Sequence, residues 1–568
     1  MTLSEASPRN KTGVTVQSGE KLVRNQLNME ISKDKTSGVF STTNNRDCVT
    51  FDDALSMTKF GKLNYVLIAI SGTVLTAFLL ETLGISYVIA VAQCDLQLTT
   101  KEKGILSGIA FLGVIVTSHL WGFLADTKGR RKVIVPTLCL SFVTSALSSL
   151  ATGFWSIVIL RFLAGFFISG SSATIYAYLG EFHNNRNRSR AIMGASFING
   201  IGCLLLPGIA YLVVNHEWEF TIPVLSIVYR PWRLFLVVCG LPSLVCGLAL
   251  LGLPESPKFV LHQGNMQASI DTIRWMHRVN NGKTVLPLSI DRILADEDDK
   301  QFEERCGVLS KSKGFRAKIE LVWEQTAHLF RKPYFNIIAI VCFLHFGTYF
   351  TSHGMYMFFP EILNQMVEST AAGVREATVC NVVYSHINQT ATAPDDDQIC
   401  TPQMLEAATY GLSFMLEVIY ALGFALIGLV INAVGKLSIL VFVFVSCGLS
   451  AALIVLVAVP QVGMGLYMIL MMSGFCGSVV SAVIVDPFPT NLRAMAVCIA
   501  LMFGRLGGVI RANMLGLLLD THCEWTFAIS GTILGICALL SFFLPNINVC
   551  TRKTIEPPSA VSSSKEES

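Results

Sequence analysis

The chain has 568 residues, of which 52% are hydrophobic and only 14% charged, against a charged share of about 25% in soluble domains. That deficit excludes a string of soluble domains, and a formal charge of +3 gives no reason to expect a nucleic-acid partner. What remains is an all-α polytopic membrane protein whose first partner is the lipid bilayer.

Residues 1–62 are polar and rich in Ser, Thr, Asn and Lys, without the apolar core of a cleavable signal. A disordered N-terminal segment is expected, followed by a first span that acts as an uncleaved anchor. Six apolar segments follow, near 64–91, 104–124, 133–151, 155–179, 191–214 and 233–253. Each is long enough to cross about 30 Å of hydrocarbon, and together they form a first bundle over 63–253. Residues 254–335 mix charges of both signs with amphipathic patches. They read as a cytoplasmic linker with short helices. Six more apolar segments lie near 336–360, 407–431, 437–457, 463–485, 494–519 and 524–545. They give a second bundle over 336–546, with a polar loop at 362–406 and a tail at 547–568.

Basic residues set the orientation. With the N-terminus cytoplasmic, the cytoplasmic segments hold 34 Lys/Arg and the opposite loops five; without the linker the ratio is 21 to five. Both termini are therefore expected inside. The loop after the seventh span carries the sequon Asn388-Gln389-Thr390 between Cys380 and Cys400. In this topology it is luminal or extracellular, so Asn388 is a candidate glycosylation site and Cys380–Cys400 a candidate disulfide. The other cysteines lie mostly in apolar stretches, where thiols behave as small hydrophobes.

Two stretches about three hundred residues apart share a skeleton. Gly122, Asp126, Gly129 and Arg130 fall on Gly428, Asn432, Gly435 and Lys436, and the Glu181/Arg188 spacing recurs as Asp486/Arg493. Repetition of membrane loops at half-length indicates two like halves, the plan of transporters with a site between the halves.

The segment Gly122-Phe123-Leu124-Ala125-Asp126-Thr127-Lys128-Gly129-Arg130-Arg131-Lys132 resembles the signature loop of the major facilitator superfamily. Arg161-Phe162-Leu163-Ala164-Gly165 opening span 4, Pro254-Glu255-Ser256-Pro257-Lys258 ending span 6 and Asp486 to Arg493 ending span 10 resemble sugar-porter-like members. Phe51-Asp52-Asp53-Ala54, Lys103-Gly104-Ile105-Leu106 and Pro231-Trp232-Arg233 are similar to the synaptic vesicle glycoprotein 2 family and the related organic ion transporter group. Two departures mark a divergent member. The loop after span 7 is much shorter than in those glycoproteins, and Phe78 stands where they carry an aspartate, with Glu81 on their neighbouring acidic position. The resemblance implies twelve helices in two pseudo-symmetric six-helix bundles, with the Asp126 loop as a conformational latch.

Gating residues expected on this basis are Gly122, Asp126, Gly129, Arg130, Arg131, Arg161, Glu181, Arg188, Asp486 and Arg493. Gly122 and Gly129 would allow a tight turn and close helix approach. Arg161 is expected to brace the first bundle. Charges inside spans cost a few kcal/mol unless paired or hydrated, so Glu81, Glu417 and Arg505 are the substrate or coupling candidates. Glu81 is the preferred protonatable group, and Arg505 would face a substrate anion or an acidic partner. His345 and His353 are weaker candidates for a proton relay.

No phosphate-binding Gly loop, nucleophile–base pair or metal-ligand spacing is evident, so no enzyme activity, cofactor or metal is expected. The expected function is secondary, alternating-access transport of a small organic solute, either an organic ion or a sugar-like polyol, possible proton coupling included. A monomeric transport unit in the plasma membrane or a secretory-type vesicle is expected. The alternative is a transport-silent vesicle-membrane protein that acts by partner binding or trafficking.

Overall fold

The computed structural model describes residues 48–224, 227–282, 290–294, 329–332, 334–391, 404–484, 488 and 490–544. Twelve helices are long and apolar enough to cross a membrane. Spans 1–6 are Lys62–Val91, Thr100–Lys128, Arg130–Ser148, Phe154–Glu181, Asn185–Val214 and Pro231–Leu251. Spans 7–12 are Phe335–Tyr356, Ala407–Ile431, Lys436–Leu456, Pro460–Ile484, Met495–Leu518 and Cys523–Ser541. Each lies within a few residues of a predicted segment, because about twenty consecutive apolar residues leave the backbone no option in lipid but a helix.

The turns between spans 2 and 3, 4 and 5, and 8 and 9 share one face with the described start of the linker, termed here the basic face. The other is the far face. Local chemistry explains several boundaries. Thr99 and Glu102 form a capping box at the start of span 2. Gly129 separates spans 2 and 3 at φ +115°, and Gly435 separates spans 8 and 9 at φ +89°. An L side chain rarely adopts that conformation, so both copies of the repeat need glycine at the turn.

Several described segments outside the spans pack against them. Helix Phe51–Met57 runs before span 1, and the Asp52 carboxylate accepts from the Asn185 backbone N–H (2.7 Å) at the start of span 5. Strand Cys48–Thr50 pairs in parallel with Arg292–Leu294 of the linker. Helix Met266–Asn281 lies against span 1, where Asn280 accepts from Leu63 N–H (2.9 Å). The Pro231-Trp232-Arg233 motif closes the far face of the first bundle. Trp232 donates to Asp95 (2.6 Å), which also pairs with Arg230, and Arg233 donates to the carbonyls of Ser149 and Ala151.

Two findings depart from the sequence reading on the far face. The segment expected as a polar loop carries two helices, Phe359–Ala371 and Val379–Ala391, which bury Phe359, Ile362, Leu363, Met366 and Val379. Their apolar residues recur at helical spacing, too briefly to read as a span. Cys380 is bonded to Cys523 at the start of span 12, Cα–Cα 5.5 Å, and not to Cys400, which lies outside the described residues. One turn on from Cys380, Tyr384 accepts from Cys523 N–H (2.7 Å) and donates to Glu524 (2.8 Å). The same seat therefore holds helix Val379–Ala391 by covalent and polar contacts. Proximity along the chain suggested the wrong partner; the correct one is 143 residues away. Asn388 falls in the last turns of that helix.

The halves meet at the far face and the midplane. Lys103 of span 2 pairs with Glu361 of helix Phe359–Ala371 and also donates to Gln93 (2.9 Å). Spans 2 and 11 touch at Gly104 and Gly516, where a Cβ on either glycine would lie within 3.1 Å of the other's backbone. Tyr87, at the end of span 1, stacks on Tyr410 of span 8 with centroids 6.0 Å apart and planes 3° apart. Toward the basic face spans 5 and 8 shed contacts, leaving Met193, Phe197, Leu426 and Leu429 exposed.

Candidate functional site

On the basic face, the first copy of the repeat folds into a polar cluster within the first bundle. Arg130 is buried and pairs with Asp126 (3.0 Å) and Glu181 (3.1 Å), and its guanidinium lies over the Phe259 ring at 5.1 Å. Spans 2, 3 and 4 are thereby joined by one cation. Glu181 therefore takes Arg130 as its partner, while Arg188 is exposed. Arg131 donates to the carbonyls of Leu250 (3.0 Å) and Leu251 (2.6 Å), closing the end of span 6.

Glu255, within Pro254-Glu255-Ser256-Pro257-Lys258, accepts from the backbone N–H groups of Arg131 (2.9 Å) and Lys132 (3.3 Å). A carboxylate there satisfies unpaired N–H groups at the start of span 3 and complements the helix dipole. Sequence reasoning left Glu255 out of the cluster; its motif was visible, but its seat 124 residues upstream was not. Gly129 is doubly constrained, since a Cβ there would also lie 2.5 Å from Glu255 Oε2.

Gly122 lies inside span 2, and a Cβ on it would meet nothing within 4 Å. It makes no close helix approach in this arrangement, contrary to the sequence reading. In the 4–5 turn, His183 is buried beside Phe60, and burial lowers its pKa from the ordinary histidine value. In the second copy, Lys436 donates to the Ala482 carbonyl (3.2 Å). Asp486 and the side chains of Asn432 and Arg493 lie outside the described residues.

Within the bilayer the ionisable candidates separate into three environments. Glu81 and Arg161 are both 1% exposed and form an ion pair across spans 1 and 4 at 3.0 Å. Arg161 also donates to Ser145 Oγ (3.3 Å) and to the Glu81 carbonyl. This fully sequestered pair welds two helices together. Arg511, in span 11, is equally buried and is held by the Thr526 carbonyl (2.7 Å), Met355 Sδ (2.8 Å) and the Phe350 ring.

Glu417 of span 8 is buried with the Tyr356 hydroxyl donating to it at 2.9 Å. It forms no ion pair among the described residues.

Arg505 differs from all of these. It is half-buried near the middle of span 11 and lines a pocket with Ser107 and Phe111 of span 2, Tyr349 and His353 of span 7, Met357 and Gly508. Its guanidinium donates to Ser118 Oγ of span 2 (3.3 Å) and sits 5.6 Å from the Phe78 ring of span 1. Among the described residues no carboxylate pairs with it. His353 stacks on Tyr349 at 4.2 Å and meets the edge of Phe111 from the other half. His345 lies apart, hydrogen-bonded to Val341 O and Ser481 Oγ. The pocket thus joins one cation, several aromatic faces and small hydroxyls at the junction of the halves.

Two six-span bundles that meet around the Arg505 pocket define a polytopic membrane protein of transporter architecture. The chain belongs to the Major Facilitator Superfamily, whose family model matches residues 63–385. It is similar to synaptic vesicle glycoprotein 2B of Homo sapiens, 25% identical over 312 residues, covering 53% of this chain and 46% of that protein. It is also similar to synaptic vesicle glycoprotein 2A of Rattus norvegicus, 26% identical over 316 residues, covering 54% and 42%. The matched region therefore spans less than half the length of these relatives. Among solved structures, the xylose transporter XylE from E. coli, in a partially occluded inward open conformation, superposes with a TM-score of 0.56 at 15% identity. That match covers 85% of this chain and 99% of XylE. A D-xylose-proton symporter superposes at 0.54 and 15% identity, covering 85% and 97%. At such identity the likeness is one of fold.

Proposed function

We propose that the protein is a secondary transporter that carries a small organic anion through the Arg505 pocket by alternating access. The observation that carries this reading is Arg505 itself. It is a midplane cation at the seam between the halves, with an aromatic ring and a hydroxyl as partners but no carboxylate among the described residues. A cation so placed costs several kcal/mol unless water or an anion attends it, and a carboxylate substrate supplies the missing charge bidentately. Tyr349, Phe78 and Phe111 offer flat apolar faces for the rest of the molecule. These features favour an organic ion over a sugar-like polyol, and one chain suffices to form the pocket. Glu81 is assigned to bracing with Arg161. The basic face is cytoplasmic on this reading, in keeping with its share of Lys and Arg. The Asp126–Arg130–Glu181 cluster serves as its gate.

The test is uptake of benzoate into liposomes holding the purified chain, with benzamide and xylose as neutral controls, with and without a pH gradient. Saturable benzoate uptake without benzamide uptake is expected. Failure of every solute to enter, together with capture of a partner protein by residues 1–62, would favour the trafficking alternative.

Gly122 gives a second test. It faces open space here but must approach the second bundle once the basic face closes. Gly122→Leu is expected to leave the melting temperature unchanged or to raise stability by up to about 1 kcal/mol, as replacing a helical glycine does. Uptake should nevertheless collapse, because the added side chain props the gate open. Unimpaired uptake would remove Gly122 from the gate.

A further inference from the structure

Two carboxylates lie close to the far-face seam with opposite provision for their charge. Glu361 has Lys103 across the seam. Glu417 has only a phenol, the Tyr356 hydroxyl at 2.9 Å. The titratable side chains facing Glu417 are Tyr87 from the end of span 1, Cys203 from span 5, Tyr356 from span 7 and Tyr420 from its own span. None is cationic, and no Lys, Arg or His pairs with Glu417 among the described residues. Tyr87 and Cys203 belong to the first half and Glu417 to the second, so part of the carboxyl's surroundings is supplied across the seam. The neighbouring Tyr87–Tyr410 stack and the Tyr211–Tyr410 contact (5.5 Å) close the same seam.

A carboxylate enclosed at this depth without a counter-charge is several kcal/mol worse off than a carboxylic acid. When the halves part, water reaches the group and the penalty disappears. We propose that Glu417 is a one-proton lock on the far-face seam, carrying a proton when the seam is closed and releasing it when the seam opens. As the seam closes, the carboxylate takes one proton from far-side water and becomes a neutral acid. As the seam parts, that proton returns to far-side water and the carboxylate is left hydrated. One proton separates the two states, so the ratio of parted to closed molecules rises on the order of tenfold per pH unit across the working range. This rests on the proposed alternating access, and it adds control of that motion by pH on the far side. In the proposed orientation that side is luminal or extracellular.

The test measures the seam and not transport. Val224 and Val374 are exposed, lie on the far face and belong to different halves. Spin labels on V224C and V374C, in protein whose cysteines other than Cys380 and Cys523 that react with the label, Cys498 among them, are replaced by serine, report the separation by electron–electron double resonance. Between pH 5 and pH 8 the distance distribution is expected to move from a short to a long population. Glu417→Gln, an uncharged isostere of the acid, should hold the short population at every pH. Glu417→Asp keeps a titrating carboxyl and should retain the shift, which guards against a mere packing defect in the glutamine variant. A Glu417→Gln protein that titrates like its parent, or a parent that does not titrate, overturns the lock. Absent benzoate uptake beside a normal pH-driven opening would sink the transport reading while leaving the lock in place.

Discussion

Phe78→Asp is expected to silence anion binding as thoroughly as removal of Arg505. The guanidinium sits 5.6 Å from the Phe78 ring, so an aspartate there would place a carboxylate within reach of it. The internal anion would occupy the site that a substrate must enter. Truncating one partner of a buried charged pair costs about 2–5 kcal/mol, or roughly thirtyfold or more in affinity. Arg505→Gln should therefore lower benzoate affinity by at least that factor. Arg505→Lys should fall between, because it keeps the charge and loses the planar two-pronged donor. Phe78→Ala should cost only the cation–π contact, about 0.5–2 kcal/mol. Calorimetric titration of the detergent-solubilised protein with benzoate measures all four. If Phe78→Asp bound benzoate as the parent does, Arg505 would not be the anion site.

The second large effect concerns the Glu81–Arg161 pair. Both side chains are 1% exposed, so breaking the pair leaves a bare charge in the first bundle. Glu81→Ala is expected to destabilise the protein by about 3–5 kcal/mol, read as earlier thermal unfolding in detergent. The double variant Glu81→Leu with Arg161→Met removes both charges and should recover most of that loss. A transport-coupling role for Glu81 would give another pattern, with normal melting in Glu81→Gln and loss of proton-dependent uptake alone.

These assignments mark how far the sequence could be read. The spans were legible because hydrocarbon imposes one length and one pattern on every crossing helix. The half-length repeat was legible because Gly129 and Gly435 must both adopt positive φ. Partnerships were less visible. Glu81 meets Arg161 from 80 residues away, Lys103 meets Glu361 from 258, and Cys380 meets Cys523 from 143. Nothing in one sequence encodes which helix faces which. The recurring spacing of Glu181 and Arg188 marked both as gate residues without naming their partners, and the carboxylate's partner is Arg130 from the 2–3 turn. Glu417 and Arg505 were recognisable as costly charges, but only packing shows that the first lies at the seam without a cation and the second faces a pocket without an acid.

The attachment of the linker to the first bundle bears on where the molecule pivots. Glu255 is seated on span 3, Asn280 on span 1, and the strand Arg292–Leu294 on Cys48–Thr50 ahead of the first span. The part that would swing as one body therefore begins before span 1 and carries the early linker with it. No hinge can then fall at the polar boundary after span 6, where composition alone would draw it. A protease or a crosslinker acting between 254 and 282 would change the mass and shape of one rocker arm while leaving its axle untouched.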